Sequence, residues 1–150
     1  MKYLFPIILL IITLTSCKKE DAVDQAAKDA EIIQKYISDN NLTAIASGTG
    51  LYYVVQDPGI GASCNASSNV KVKYKGYFTS GEVFDESPAA GVTFNLSNVI
   101  KGWTEGIPYF KEEGSGILLI PSSLGYGASG NSSIPANTVL VFDVELLDVL

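Results

Sequence analysis

The side chains that could do chemistry in this sequence are few in kind. There are two cysteines, Cys17 and Cys64, sixteen Asp and Glu, ten basic residues that are all Lys, and no His. Without His there is no imidazole base to activate a serine, no proton shuttle near neutrality and no His-ligated zinc. Without Arg there is no bidentate clamp for phosphate or carboxylate. Two thiols cannot build a four-thiolate metal site, which leaves one disulfide, one free thiol or a covalent modification. No metal and no cofactor is expected from such a donor set. The net charge of -6 has the wrong sign for neutralising phosphates, so nucleic acid is not an expected partner.

The chain has 150 residues, 47% of them hydrophobic, enough for one domain with an appendage. The appendage comes first. After Met1-Lys2, residues 3–14 carry no charge, a run shorter than the about 20 residues of a spanning helix. It reads as the apolar part of a signal peptide over residues 1–16. The following Leu14-Thr15-Ser16-Cys17 resembles the lipobox of bacterial lipoproteins, cut before the cysteine, whose thiol then carries a diacylglycerol. At about 0.8 kcal/mol per buried methylene, two or more acyl chains hold a soluble domain stably on a membrane. A lipid-anchored position in the cell envelope, on the outer membrane, is therefore expected, with the periplasmic and surface faces both open. Lys18-Lys19-Glu20-Asp21 resembles the charged export tags of some Bacteroidetes surface lipoproteins. With Cys17 acylated, Cys64 in the small polar loop 61–69 has no partner.

Residues 17–49 read as a tether. Val23, Ala26, Ala27, Ala30, Ile33 and Ile37 fall at helical spacing, so a helix over about 21–38 is expected, with Asp21 as N-cap, either docked on the main domain or on a second copy or, the preferred reading, acting as a spacer. Residues 42–49 read as linker. The remaining domain, 50–150, is dominated by strands. Leu51–Val55 is β-branched and aromatic and stops at Asp57-Pro58-Gly59. Val70–Lys75 alternates strictly, sending Val70, Val72 and Tyr74 to one face and three Lys to the other. Glu82–Asp85, Gly116–Pro121 and Val139–Leu146 are also extended. Only Asn98–Ile107 has helical spacing, through Val99, Trp103 and Ile107. The fold class is α+β: a twisted antiparallel sheet curled around one short helix, preceded by an N-terminal helix.

Five blocks in this domain resemble, in order, the FKBP-type peptidyl-prolyl cis/trans isomerases. They are Val72–Gly76, Gly81–Ser87, Val99–Gly106, Leu124–Gly130 and Ile134–Leu146, covering most of residues 70–150. The resemblance implies an apolar pocket lined by Tyr74, Phe84, Val99, Trp103, Ile134 and Phe142, with Trp103 as floor. It also implies polar contacts from Asp85, the Tyr126 hydroxyl and the Ile100 backbone N–H. The chain departs from the family at 88–92, where the Arg that many relatives place near the acid is missing and Val92 replaces a pocket aromatic. The loop at Asn131-Ser132-Ser133 is short and has no His.

Such a pocket suits chemistry in which no bond is made. An Xaa-Pro imide rotates over about 18–20 kcal/mol because rotation breaks amide resonance. The twisted carbonyl has lost charge separation, so a dry cavity favours it over the planar form and lowers the barrier. Asp85, between Phe84 and a turn, needs a partner if buried, and the Tyr74 hydroxyl or a substrate would serve. The expected function is prolyl isomerisation during the folding of exported proteins, with proline-containing unfolded polypeptides as substrates and FK506-like macrolides as ligands. A non-catalytic peptide-binding or holdase module on the same fold is the alternative, and a structural lipoprotein with a vestigial groove is a third reading.

Overall fold

The computed structural model describes residues 17–150, with side chains from residue 22 onward. The signal segment 1–16 and the Cys17 side chain lie outside the described residues. Helix α1 (Cys17–Asp39) leads into a single antiparallel sheet of seven strands: β1 (Ile45–Ala46), β2 (Tyr52–Asp57), β3 (Asn69–Phe78), β4 (Val83–Glu86), β5 (Val92–Asn95), β6 (Ser115–Ile120) and β7 (Leu140–Val149). The order across the sheet is β1-β2-β6-β7-β3-β4, with β5 also paired to β3. Helix α2 (Lys101–Gly106) lies between β5 and β6 in the chain, flanked by 3-10 turns at Leu96–Asn98 and Ile107–Tyr109. The α+β architecture is the one expected.

The alternation read in β3 is realised. Val70 and Val72 are fully buried, while on the opposite side Lys73 pairs with Glu145 of β7 at 3.3 Å. The inner face of the sheet gathers Leu118 and Ile120 of β6 with Phe142, Val144 and Leu146 of β7 around Trp103 and Ile107. Helix α2 lies close on this face because two of its residues lack a side chain. A Cβ at Gly102 would stand 2.5 Å from Ile120 Cγ2, and one at Gly106 would stand 2.7 Å from Leu118 Cδ2. That close seat carries Trp103 into the interior.

The outer face is not solvent. Ile33 of α1 packs with Val54, Ile117, Leu119, Val139 and Val141, flanked by Tyr36, Ile37 and Leu42. The N-terminal helix is thus docked on the main domain, the alternative to the preferred spacer reading. It already includes Cys17–Glu20, so Asp21 lies inside it and is not its N-cap; Lys and Glu are good helix formers and nothing in residues 17–20 breaks the pattern. Its buried side differs as well. Asp29 and Ile33 are buried and Tyr36 and Ile37 half-buried, whereas Val23, Ala26, Ala27 and Ala30 face outward. A carboxylate that finds hydrogen bonds in the interior and an Ile that fills a hole outweigh a stripe of alanines with little area to bury. The expected linker is partly sheet: Ile45 and Ala46 pair with Tyr53 and Tyr52. Tyr77 ties the outer face together, donating to Asp143 Oδ1 at 2.9 Å. Burial, together with hydrogen bonds to Tyr36 and Asp143, pushes its phenol well above the ordinary range.

Candidate functional site

Four strands, helix α2 and one loop converge on the inner face. Tyr74 comes from β3, Phe84 and Asp85 from β4, Phe94 from β5, and Phe142 from β7. Val99 and Ile100 enter just before α2, Trp103 from its first turn, and Tyr126 from the loop after the 3-10 turn Ser122–Leu124. Together these residues line a cavity of about 110 Å³ open to the surface. Pockets for drug-sized ligands measure about 300–1,000 Å³, so this hollow is scaled to a single small ring.

Its walls are aromatic, and the rings around Trp103 stand nearly perpendicular to the indole. Trp103 meets Tyr74 at 5.0 Å and 85°, Phe94 at 5.5 Å and 84°, and Phe142 at 5.4 Å and 80° between ring centroids. Phe84 stands on Phe142 at 5.5 Å and 86°. Edge-to-face contacts of this kind suit the ring quadrupoles and add about 0.5–1.5 kcal/mol each beyond burial. Trp103 is 4% exposed, and its Nε1–H is buried with no hydrogen-bond partner among the described residues.

The polar groups sit on the rim. Asp85 Oδ2 accepts a hydrogen bond from the Tyr74 hydroxyl at 2.8 Å, and Oδ1 accepts from the Glu86 N–H at 2.9 Å. Asp85 is exposed, and the partner is the tyrosine the sequence suggested. Burial, then the hydrogen bond to Asp85 and its charge, push the Tyr74 phenol up to about 12, so it remains a donor at physiological pH. Ile100 takes extended backbone angles before α2, and its carbonyl accepts from the Trp103 and Thr104 N–H groups. Its own N–H has no hydrogen-bond partner among the described residues, and Ile100 lines the cavity. Tyr126 is 38% exposed and carries its hydroxyl to the same rim.

Of the residues singled out from sequence, Asp85, Tyr126, Ile100, Tyr74, Phe84, Val99, Trp103 and Phe142 come together here. Ile134, 3% exposed, is packed in the same buried cluster as Trp103 and Phe142 and is not among the residues lining the hollow. Phe94, not anticipated from sequence, supplies a further aromatic wall. Cys64, expected in a polar loop, is half-buried against the inner core, and burial raises its thiol above the usual range. No group of His, Cys, Asp or Glu that could hold a metal occurs among the described residues.

Comparison with known proteins places these features in context. Residues 61–147 match the family described as FKBP-type peptidyl-prolyl cis-trans isomerase. The chain is 43% identical over 133 residues to the FKBP-type peptidyl-prolyl cis-trans isomerase FkpA of Escherichia coli K12, covering 87% of this chain and 48% of that protein. A probable FKBP-type peptidyl-prolyl cis-trans isomerase of Haemophilus influenzae is 36% identical, covering 93% of this chain and 58% of its own length. The chain thus spans about half the length of the curated relatives it matches. Among solved structures, the crystal structure of Escherichia coli FkpA superposes with a TM-score of 0.75 at 42% identity, over 87% of this chain and 62% of that one. A peptidyl-prolyl cis-trans isomerase of Pseudomonas syringae pv. tomato gives 0.71 at 28% identity, over 83% and 95%.

Proposed function

The chain belongs to the FKBP-type peptidyl-prolyl cis-trans isomerase family, and from that premise we propose that it catalyses rotation of Xaa-Pro bonds in unfolded exported polypeptides. The observation that carries this reading is the open aromatic hollow with two unspent donors at its rim. A proline ring enters between Trp103, Phe94 and Phe142. The Ile100 N–H and the Tyr126 hydroxyl take the peptide carbonyls on either side of the ring and fix the chain while the imide turns. Asp85, anchored by Tyr74, presents a carboxylate beside the rotating carbonyl. The walls exclude water, so the imide loses the solvation that favours its planar, charge-separated form. No nucleophile is needed, which agrees with a chain lacking His and Arg.

The test is a protease-coupled assay of the full chain on an Xaa-Pro peptide, in which the uncatalysed step takes tens to hundreds of seconds. Acceleration is expected, with FK506 competing for the hollow. Tyr126→Phe should lower kcat/KM by about two- to tenfold, the worth of one neutral hydrogen bond of about 0.5–1.5 kcal/mol. Asp85→Ala should lower it further, because it leaves the Tyr74 hydroxyl unpartnered as well. Turnover no faster than buffer, with macrolide binding retained, would leave a peptide-binding module in place of an enzyme.

We further propose that Cys17 is acylated and holds the domain on the membrane of the cell envelope. The lipobox-like Leu14–Cys17 supports this, and no helix among the described residues is long and apolar enough to cross a membrane by itself. Labelled fatty acid should be incorporated into the chain and lost in Cys17→Ser, with the protein moving from the membrane to the soluble fraction. Equal labelling of the variant would remove the anchor.

A further inference from the structure

Asp29 is the buried carboxylate that the chemistry of the hollow does not use. It is 1% exposed in the seam between α1 and the 3-10 turn Ser122–Leu124, and none of the salt bridges among the described residues involves it. An uncompensated buried carboxylate is costly unless hydrogen bonds replace its water. Asp29 has three. Its Oδ2 accepts from the Ser122 N–H at 2.8 Å and from the Ser122 hydroxyl at 2.6 Å, and its Oδ1 accepts from Gln25 Nε2 at 2.7 Å. All the bonds from outside α1 therefore come from one residue, 93 positions along the chain.

Ser122 is where the loop carrying Tyr126 begins. Its carbonyl accepts the N–H of Gly125 at 3.0 Å and the N–H of Gly127 at 2.8 Å, the residues on either side of Tyr126. The Tyr126 carbonyl in turn accepts from Gly130 at 3.1 Å, and that of Gly127 from Asn137 at 2.8 Å. The tyrosine side chain is partly in solvent, so the backbone of this loop, more than packing, decides where its hydroxyl stands. That backbone hangs from Ser122, and Ser122 is held at both its N–H and its hydroxyl by α1.

We propose that Asp29 is a positioning residue for Tyr126, so that the N-terminal helix is part of the catalytic unit. This rests on the isomerase reading only for the role of Tyr126, and the experiment separates the two. In the full chain, Asp29→Asn keeps the shape of the side chain but replaces one acceptor oxygen by an NH₂ group. Its kcat/KM on the Xaa-Pro peptide should fall on the order of fivefold, the scale of coupling carried by one link in a hydrogen-bond network. In a Tyr126→Phe background the same change should cost less than about twofold, since a residue that works through the hydroxyl has nothing left to position. Amide exchange at Gly125 and Gly127 should rise while the β3–β7 amides stay as protected as before. Should Asp29→Asn fail to fold, Ser122→Ala makes the same measurements with one hydrogen bond removed.

Equal losses in both backgrounds would show a general structural role and overturn the proposal, as would unchanged exchange at Gly125 and Gly127. A wild-type chain without turnover would remove the isomerase reading, yet exchange at those two amides would still decide whether Asp29 holds the loop.

Discussion

Trp103→Ala should abolish acceleration of Xaa-Pro isomerisation and cost the fold about 3–5 kcal/mol, the range for removing a buried tryptophan from a packed core. The side chain is 4% exposed and touches three aromatic rings edge to face. Its indole N–H has no partner among the described residues, so the substitution breaks no hydrogen bond and the whole loss is packing. Domain stabilities are about 5–15 kcal/mol, so part of the margin survives. Unfolding in urea and the protease-coupled assay on the same preparation separate the two effects. The hollow would lose its floor, and Tyr74, Phe94 and Phe142 would lose the surface they stand on. Wild-type turnover from a folded Trp103→Ala chain would mean that the hollow does not hold the rotating imide.

The walls of this site were largely legible because aromatic residues in short ordered blocks leave a strong trace. Phe94 was not, for a definite reason. Strand β5 has only four residues, Val92–Asn95, too few to show a period of two. Once the strand is seen paired to β3, with Val72 opposite Val92 and Val70 opposite Phe94, the two share a face and the larger one reaches the hollow. Ile134 is apolar, next to the right loop and buried in the same cluster as Trp103 and Phe142, yet it is not among the residues lining the hollow. Burial alone does not distinguish a wall from the core behind it.

The docking of α1 had a readable signature that the helix itself concealed. Ile117-Leu118-Leu119-Ile120 and Val139-Leu140-Val141-Phe142 do not alternate, and an unbroken apolar run in a strand means that both faces are covered. Helix α2 covers only one face. The other required a second layer, and α1 precedes the sheet with Ile33, Tyr36 and Ile37 to supply it. Reading the helix by its alanines pointed to the wrong side, because the residue that fixes its rotation is polar. Asp29 is buried for its hydrogen bonds to Ser122, a contact between segments far apart in the chain that no local pattern reports.

Gly76→Ala should damage catalysis more than its single added methyl suggests. Gly76 lies on β3 opposite Asp85 on one side and Phe142 on the other, directly beneath two walls of the hollow. A Cβ there would stand 2.7 Å from Phe142 Cε1 and 2.7 Å from both Cε2 and Cζ of Phe84. Carbon atoms settle at about 3.5–4.0 Å, so both rings must retreat by about 1 Å, and they retreat into the space a proline ring needs. Overpacking of this kind costs about 1–3 kcal/mol in stability, which leaves the chain folded. The loss in kcat/KM should be on the order of a hundredfold, because a misplacement of about 1 Å at a positioned site has that effect. A second change tests the cause: Phe84→Leu gives back volume on one side, so in the Gly76→Ala background it should restore part of the activity, although alone it should lower it. If Gly76→Ala keeps full turnover, or if Phe84→Leu deepens the loss in both backgrounds equally, the rings are not held where they are by the bare backbone beneath them.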